Sequence, residues 1–193
     1  MTSVLRLAAE FLYLFAPLLL SAALSGVVMR QDWLAFARRP LDAGHCFRGR
    51  RIFGDSKTWR GVLVAVLGCT IGVAIQKHLI GEHAAGIARV EYARLDVVTF
   101  GVIMGVTAML GELPNSFIKR RLNIPPGQST KGWLAVGFYV WDQVDLLMFS
   151  LPALSLWADI DGALVATAVM VTLILHPMTS LIGYLIGARR SAR

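Results

Sequence analysis

Five long apolar runs restrict the folds available to this chain more than any other feature of its sequence. Each approaches the roughly 20 apolar residues with which an α-helix crosses the hydrocarbon core of a bilayer. The runs are 11–29, 61–80, 95–113, 138–157 and 163–186. Only 16% of the 193 residues are charged, against about 25% in a soluble domain. We therefore predict an all-α fold in which residues 1–193 form a single integral membrane domain, a polytopic helical bundle of about five transmembrane helices.

Positive charge is concentrated in alternate gaps between these runs. The loop 30–60, the loop 114–131 and the C-terminal tail carry eight, four and three of the nineteen Lys and Arg residues. Because Lys and Arg mark the cytoplasmic side, we predict two basic cytoplasmic loops in the cell (inner) membrane, with the N-terminus outside and the C-terminus inside. The net charge of +7 then indicates contact with membrane lipids, and we expect no nucleic acid partner.

Glycine recurs at a spacing of four residues within the runs, as at Gly68 and Gly72 and at Gly101 and Gly105. Small residues at this spacing let neighbouring transmembrane helices approach each other closely. We interpret these glycines as packing residues of the bundle.

Two carboxylates, Asp142 and Asp145, lie three residues apart within the fourth run. On a helix they share a face, and ionisable groups at membrane depth are costly unless they serve a function. A hard divalent cation between them would relieve their repulsion, and Mg²⁺ prefers such oxygen ligands. The alternative, a helix that begins after the acids, leaves only 146–157 to cross the bilayer, which is too short. We therefore predict a metal site at Asp142 and Asp145, with Mg²⁺ as the cofactor.

A basic cluster follows the third apolar run. Ser116, Lys119 and Arg120 lie there, with Glu112 one helical turn earlier. Arg binds phosphate as a bidentate fork and Lys as a point charge. The composition alone agrees equally well with a cluster that only touches lipid headgroups.

The end of the first loop offers a second group of polar side chains. Lys57, Thr58 and Arg60 follow a turn at Gly54, where the second helix is predicted to begin. A helix N-terminus favours an anion, although the spacing is not that of a Walker A loop. Together with the carboxylates, the two basic loops indicate a site for a cytosolic polyphosphate and an anionic lipid. That combination suits phosphoryl or nucleotidyl transfer to a lipid phosphate.

Three motifs in order, F-G-D-S-K-T-W-R-G, S-F-I-K-R-R and D-Q-V-D, resemble those of the CDP-archaeol synthase family. That family is related to the phosphatidate cytidylyltransferases, and the resemblance covers residues 40–145 with a matching layout of five spans. It implies a Mg²⁺-dependent cytidylyltransferase of phospholipid biosynthesis. The substrates would be CTP and a lipid phosphate of the archaetidic or phosphatidic acid type, and the products a CDP-lipid and pyrophosphate.

The resemblance also implies a role for each matching residue. Asp142 and Asp145 would bind the metal and act in catalysis together with Lys119 and Lys57. The substrate-binding residues would be Ser116, Arg120, Thr58, Arg60 and Glu112. The chain departs from the family pattern at Glu112, where Asp is frequent, and at Asn115, where Gly is frequent. These departures bear on the identity of the lipid more than on the reaction.

Three other functions are alternatives to this enzyme. A CDP-alcohol phosphatidyltransferase would need a D-G-x-x-A-R element, and the Asp161-Gly162 pair lacks its arginine. A non-catalytic membrane protein that binds anionic lipid and a small transporter are the further alternatives. A homodimer is an open alternative for the assembly.

Overall fold

In a computed structural model that describes residues 3–80, 86–126 and 132–185, the chain is built almost entirely from helices. The long helices are α1 (Ser3–Arg30), α2 (Trp59–Ile75), α3 (Val97–Arg121), α4 (Trp133–Leu154) and α5 (Gly162–Leu185). A π-helical turn, Gln76–Ile80, extends α2, and short 3₁₀ helices cover Ala35–Ala37 and Tyr92–Arg94. The strands β1 (Cys46–Phe47) and β2 (Arg50–Arg51) pair as an antiparallel hairpin in the first loop.

Four of these helices are long and apolar enough to cross a membrane, namely Ser3–Arg30, Trp59–His78, Val97–Arg121 and Trp133–Leu154. A shorter apolar stretch, Gly162–Leu175, lies within α5. The predicted polytopic helical bundle is therefore confirmed over the described part of the chain.

The helices pack in chain order, and the last one closes the bundle. α2 packs between α1 and α3, α3 packs against α4, and α5 contacts both α1 and α4. Phe100 and Met104 of α3, Leu154 of α4 and Leu164 of α5 are almost completely buried. Close packing of such side chains stabilises the contacts between the helices, and α3 and α4 lie side by side.

Glycine allows the close contacts that the sequence predicted. A Cβ atom added to Gly105 would lie 2.5 Å from the Cα of Val66, and one added to Gly72 would lie 2.6 Å from the Cα of Pro17. Atoms cannot approach that closely, so a larger residue at either position would push the helices apart.

Several helix ends differ from the predicted boundaries. α3 continues through Pro114 to Arg121, so the second basic loop begins after that residue and not at 114. The helix continues because Asn115 and Ser116 are buried in the bundle, although Pro114 gives up one backbone hydrogen bond. α4 runs from Trp133 to Leu154, so the helix begins five residues before the fourth apolar run as bounded above. Residues 127–131 of the second loop and the end of the fifth run at 186 lie outside the described residues.

The first loop folds back onto the end of α3. Arg121 donates hydrogen bonds to the backbone carbonyls of Phe47, Arg50 (2.9 Å) and Arg51 (2.5 Å), and Arg50 donates to the carbonyl of Arg121. Such reciprocal bonds satisfy carbonyls that a helix end and a hairpin would otherwise leave open. They bring the first loop and the basic end of α3 together at one end of the bundle.

Candidate active site

A polar cavity of about 160 Å³ opens at the end of the bundle that carries both basic loops. It lies between α3, α4 and the segment that leads into α2. Its lining consists of Ser56, Lys57, Glu112, Asn115, Ser116, Lys119, Arg120, Pro125, Pro126, Asp142 and Asp145. Seven of the nine residues that the sequence singled out are therefore brought together here.

Both carboxylates lie on the face of α4 that looks towards α3, as their spacing predicts. The amide Nδ2 of Asn115 donates to Asp142 Oδ1 and, at 3.2 Å, to Asp145 Oδ2. Lys119 Nζ donates to the same Oδ1 of Asp142. Asp145 is only 8% exposed, so its charge depends on these neighbours for compensation.

A second ion pair joins the first loop to α3. Lys57, just before α2, donates to Glu112 Oε2, and the Lys57 side chain is 18% exposed. Two lysines therefore reach the cavity from different elements, each paired with a carboxylate. The phosphate groups of a ligand could take the place of these carboxylates as partners of the lysines.

Arg120 and Pro126 line the cavity next to the turn at Gly54. The turn residue Gly54 has a φ of +89°, and a Cβ atom there would lie 3.4 Å from Pro126 and 3.6 Å from Arg120. Arg120 donates to the carbonyl of Ile124, while its buried Nε has no hydrogen-bond partner among the described residues. Arg120 as a whole lines the cavity, and its guanidinium brings a positive charge beside any oxyanion that enters.

A buried carboxylate in the first loop holds this turn in place. Asp42 accepts hydrogen bonds from the backbone N–H groups of Phe53 and Gly54, both at 2.9 Å, and from Arg51 Nη2 at 2.6 Å. Burial alone would raise the pKa of Asp42, but the Arg51 guanidinium and the backbone donors outweigh it and hold that pKa well below its usual range. Asp42 thereby fixes the backbone that leads to Lys57.

The structure does not bring Thr58 and Arg60 to the cavity. Thr58 is the N-cap of α2, where its hydroxyl accepts a hydrogen bond from the N–H of Gly61 at 3.3 Å. Arg60 is 8% exposed and donates to Asp32 Oδ1 at 2.7 Å. Their positions support a role in capping α2 and anchoring the first loop, and they do not support direct substrate binding. Adjacency in a motif did not predict this, because consecutive helical residues point in different directions.

Asn115 is the site residue that the sequence analysis did not include among the ligands. It lies four residues before Lys119, so the two share a face of α3, and that spacing could have revealed it. Within the described ranges, no three His, Cys, Asp or Glu residues lie close enough to hold a metal ion. The amide of Asn115 lies beside the two carboxylates.

The donor set suits Mg²⁺. Asn115 Oδ1 is buried and has no hydrogen-bond partner among the described residues, while the Nδ2 of the same amide contacts both Asp142 and Asp145. Rotation of the amide by half a turn exchanges its nitrogen and oxygen. It would then present an oxygen to a cation held by the two carboxylates, and oxygen ligands are those that Mg²⁺ prefers.

Comparison with known proteins gives a consistent result. The chain matches the CarS-like family of CDP-archaeol synthases over residues 4–191. The CDP-archaeol synthase of Pyrococcus furiosus is 37% identical over 150 residues, which cover 75% of this chain and 78% of the relative. That of Pyrobaculum islandicum is 34% identical over 155 residues, which cover 79% of this chain and 81% of the relative.

A solved structure shares the fold. It is described as that of an intramembrane enzyme for archaeal membrane lipids biosynthesis, and it superposes with a TM-score of 0.61 over 87% of this chain and 90% of that one. Its sequence identity of 22% shows a common fold alone. The family match, which covers almost the whole chain, and the curated relatives show more: this chain belongs to the CDP-archaeol synthase family.

Proposed function

We propose that this chain transfers the cytidylyl group of CTP to a membrane lipid phosphate, of the archaetidic or phosphatidic acid type, in phospholipid biosynthesis. The observation that carries this proposal is the cavity in which Asp142 and Asp145 face Lys57, Lys119 and Arg120. The family supplies the class of reaction, and the cavity supplies cationic groups for phosphates beside oxygen donors for a metal.

Asp142, Asp145 and the amide oxygen of Asn115 would hold Mg²⁺. When bound, the ion supplies charge neutralisation to the phosphates and orients them. In the structure Asn115 Nδ2 and Lys119 Nζ contact these carboxylates, and both would give up those hydrogen bonds when the ion and the phosphates bind.

The cationic side chains bind and orient the two anionic substrates. Lys57 and Lys119 exchange their carboxylate partners for phosphate oxygens, and Arg120 adds a further positive charge to the lining of the cavity. These groups neutralise the charge that repels one phosphate from another. They also stabilise charge that develops on the phosphates during the reaction.

The chemical step then needs little beyond positioning. An oxygen of the lipid phosphate forms a bond to the α-phosphorus of CTP, while the bond from that phosphorus to the bridging oxygen breaks and its electron pair leaves with pyrophosphate. The attacking phosphate is already ionised at neutral pH, so the site needs no strong general base. Alignment of the reacting groups accounts for most of the acceleration in such a mechanism.

The cavity is proposed to face the cytoplasm, with the N-terminus outside and the C-terminus inside. Support comes from the basic first loop and the basic end of α3, which meet at the cavity end of the bundle, since Lys and Arg mark the cytoplasmic side. CTP would then enter from the aqueous side and the lipid phosphate from the bilayer. One chain supplies all the groups used here, so the proposed reaction does not depend on a homodimer.

The proposal is tested by pyrophosphate release from the protein purified in detergent, with CTP, Mg²⁺ and one of two lipids. The lipids are phosphatidate and an ether-linked isoprenoid glycerol phosphate, and release with either one supports the proposal and identifies the lipid. Asp159→Asn serves as the matched control, because it removes a carboxylate from the turn between α4 and α5. Absence of both release and CTP binding would instead favour a non-catalytic protein that binds anionic lipid.

A further inference from the structure

One glycine of α3 lies directly against the backbone of the site. A Cβ atom added to Gly111 would be 2.2 Å from the carbonyl oxygen of Asp145 and 3.1 Å from its carbonyl carbon. Non-bonded heavy atoms attract one another at about 3.5–4.0 Å and repel strongly when they are much closer. Only a residue without a side chain therefore allows α3 to approach α4 as closely as it does at this point.

The contact lies one helical turn from the groups that hold the carboxylates. Gly111, Asn115 and Lys119 are spaced four residues apart, so they form one row along α3 that faces α4. Asn115 contacts both Asp142 and Asp145, and Lys119 contacts Asp142. The separation of the helices at Gly111 therefore sets the separation between these side chains and the two carboxylates.

The other close glycines of α3 have different neighbours. Added Cβ atoms would meet Thr70 at Gly101 and Val66 at Gly105, and both neighbours belong to α2. Those two contacts join α3 to the rest of the bundle, roughly 9–15 Å along the helix from Gly111 at 1.5 Å per residue. Among the glycines of the described part of α3, Gly111 is the one whose contact is with a residue that carries a site carboxylate.

We infer that Gly111 is a positioning residue: its missing side chain sets the distance between the carboxylates of α4 and the donors of α3. The effect of Gly111 on catalytic rate can be measured only if the proposed function is correct, so that part of the inference rests on the proposed function. Relief of the overlap at Gly111→Ala requires α4 to move by about 1 Å, and a misplacement of that size costs about 100-fold in rate. The binding of a divalent cation between Asp142 and Asp145 weakens for the same reason.

The test compares Gly111→Ala with Gly105→Ala, which also introduces a severe backbone overlap, 2.5 Å to the Cα of Val66, but away from the cavity. Both variants are expected to be monodisperse in detergent with a lowered unfolding midpoint. Only Gly111→Ala is expected to lose about 100-fold in kcat with little change in KM for the lipid. It alone should also lose the rise in unfolding midpoint that Mg²⁺ with CTP produces in the wild type.

A double variant separates positioning from general destabilisation. If Gly111 acts through Asp145, adding Gly111→Ala to Asp145→Asn causes no further loss of Mg²⁺-dependent CTP binding, because coupled residues are not additive. A merely structural role would add a further loss. Inactivity of the wild type would refute the proposed function, while the Mg²⁺-dependent unfolding shift would still test the role of Gly111.

Three outcomes would overturn the inference. The first is a wild-type kcat and a wild-type Mg²⁺ response in Gly111→Ala. The second is an equal loss of both in Gly105→Ala. The third is a Gly111→Ala protein that fails to become monodisperse while Gly105→Ala succeeds, since the contact would then hold the fold and not the site.

Discussion

The buried carboxylate of Asp42 makes a sharp prediction about the loop that carries Lys57. The Asp42 side chain is fully buried. Its Oδ1 accepts from Arg51 and from the N–H of Gly44, and its Oδ2 accepts from Arg51 and from the N–H groups of Phe53 and Gly54. In Asp42→Asn one of these oxygens becomes an NH₂ group that faces only donors, so at least two bonds are lost.

The expected loss is large because donors that face the buried Asp42 side chain lose their acceptor. Each buried donor left without a partner costs about 1–3 kcal/mol, and with at least two bonds lost we expect Asp42→Asn to lower the free energy of unfolding by roughly 2–6 kcal/mol. Arg51 itself is 29% exposed and keeps Asp55 as a partner. The turn at Gly54 is then no longer fixed, so Lys57 loses its position and cytidylyl transfer falls as well. Thermal unfolding in detergent measures the first effect, and pyrophosphate release measures the second.

Asp55→Asn is the matched control, because Asp55 pairs with the same arginine. Its carboxylate lies 2.8 Å from Arg51 Nη1 but is 77% exposed, and exposed ion pairs contribute little. We expect nearly wild-type stability and activity from that variant. Equal effects of the two substitutions would refute the argument that burial and the backbone donors make Asp42 important.

The same carboxylate predicts a pH dependence. The pKa of Asp42 is held below its usual range in the folded protein, so its contribution is fully present above the pKa of the unfolded state, about 4, and is lost as the pH falls through the folded-state value. The difference in stability between wild type and Asp42→Asn should stay constant from about pH 6 to 8 and narrow only at strongly acidic pH. A difference that shrinks between pH 6 and 8 would contradict this assignment.

Two further predictions concern arginine and lysine residues near the cavity. Arg60→Met should lower the unfolding midpoint, since Arg60 holds Asp32, but it should leave KM for CTP unchanged. Lys57→Met should raise KM for CTP. Steady-state kinetics in which Arg60→Met raises KM for CTP and Lys57→Met does not would refute both predictions. Arg121→Ala should expose the hairpin to proteolysis, because Arg121 binds three of its carbonyls. Limited proteolysis tests this prediction, and a hairpin as protected as that of the wild type would contradict it.

Hydropathy located the helices well but not their ends. Apolar residues mark where a helix crosses the membrane, whereas the end of a helix depends on capping and packing. The extension of α3 to Arg121 illustrates this, because buried polar residues such as Asn115 continue the helix beyond the apolar run. The spacing of Asp142 and Asp145 did predict their arrangement, because two residues three apart share a face on any helix, wherever that helix ends.

Contacts between residues that are far apart in the chain could not be predicted from the sequence. The pairing of Lys57 with Glu112 joins residues 55 positions apart, and no local pattern encodes it. Thr58 and Arg60 were grouped with the site because they follow Lys57 in the sequence. Because α2 starts at Trp59, Thr58 instead caps the helix and Arg60 anchors the first loop through Asp32. The close contact at Gly111 likewise depends on how α3 and α4 pack.

The central claim is that the cytidylyl group of CTP passes to the lipid at the carboxylate site. The most direct measurement uses CTP labelled at the α- or the γ-phosphate, with phosphatidate or the ether-linked lipid phosphate, for the wild type and for Asp145→Asn folded in membranes. We predict that the α-label enters the lipid extract and the γ-label enters pyrophosphate, and that Asp145→Asn transfers neither. Transfer of the γ-label to lipid, or turnover like that of the wild type in Asp145→Asn, would contradict the account.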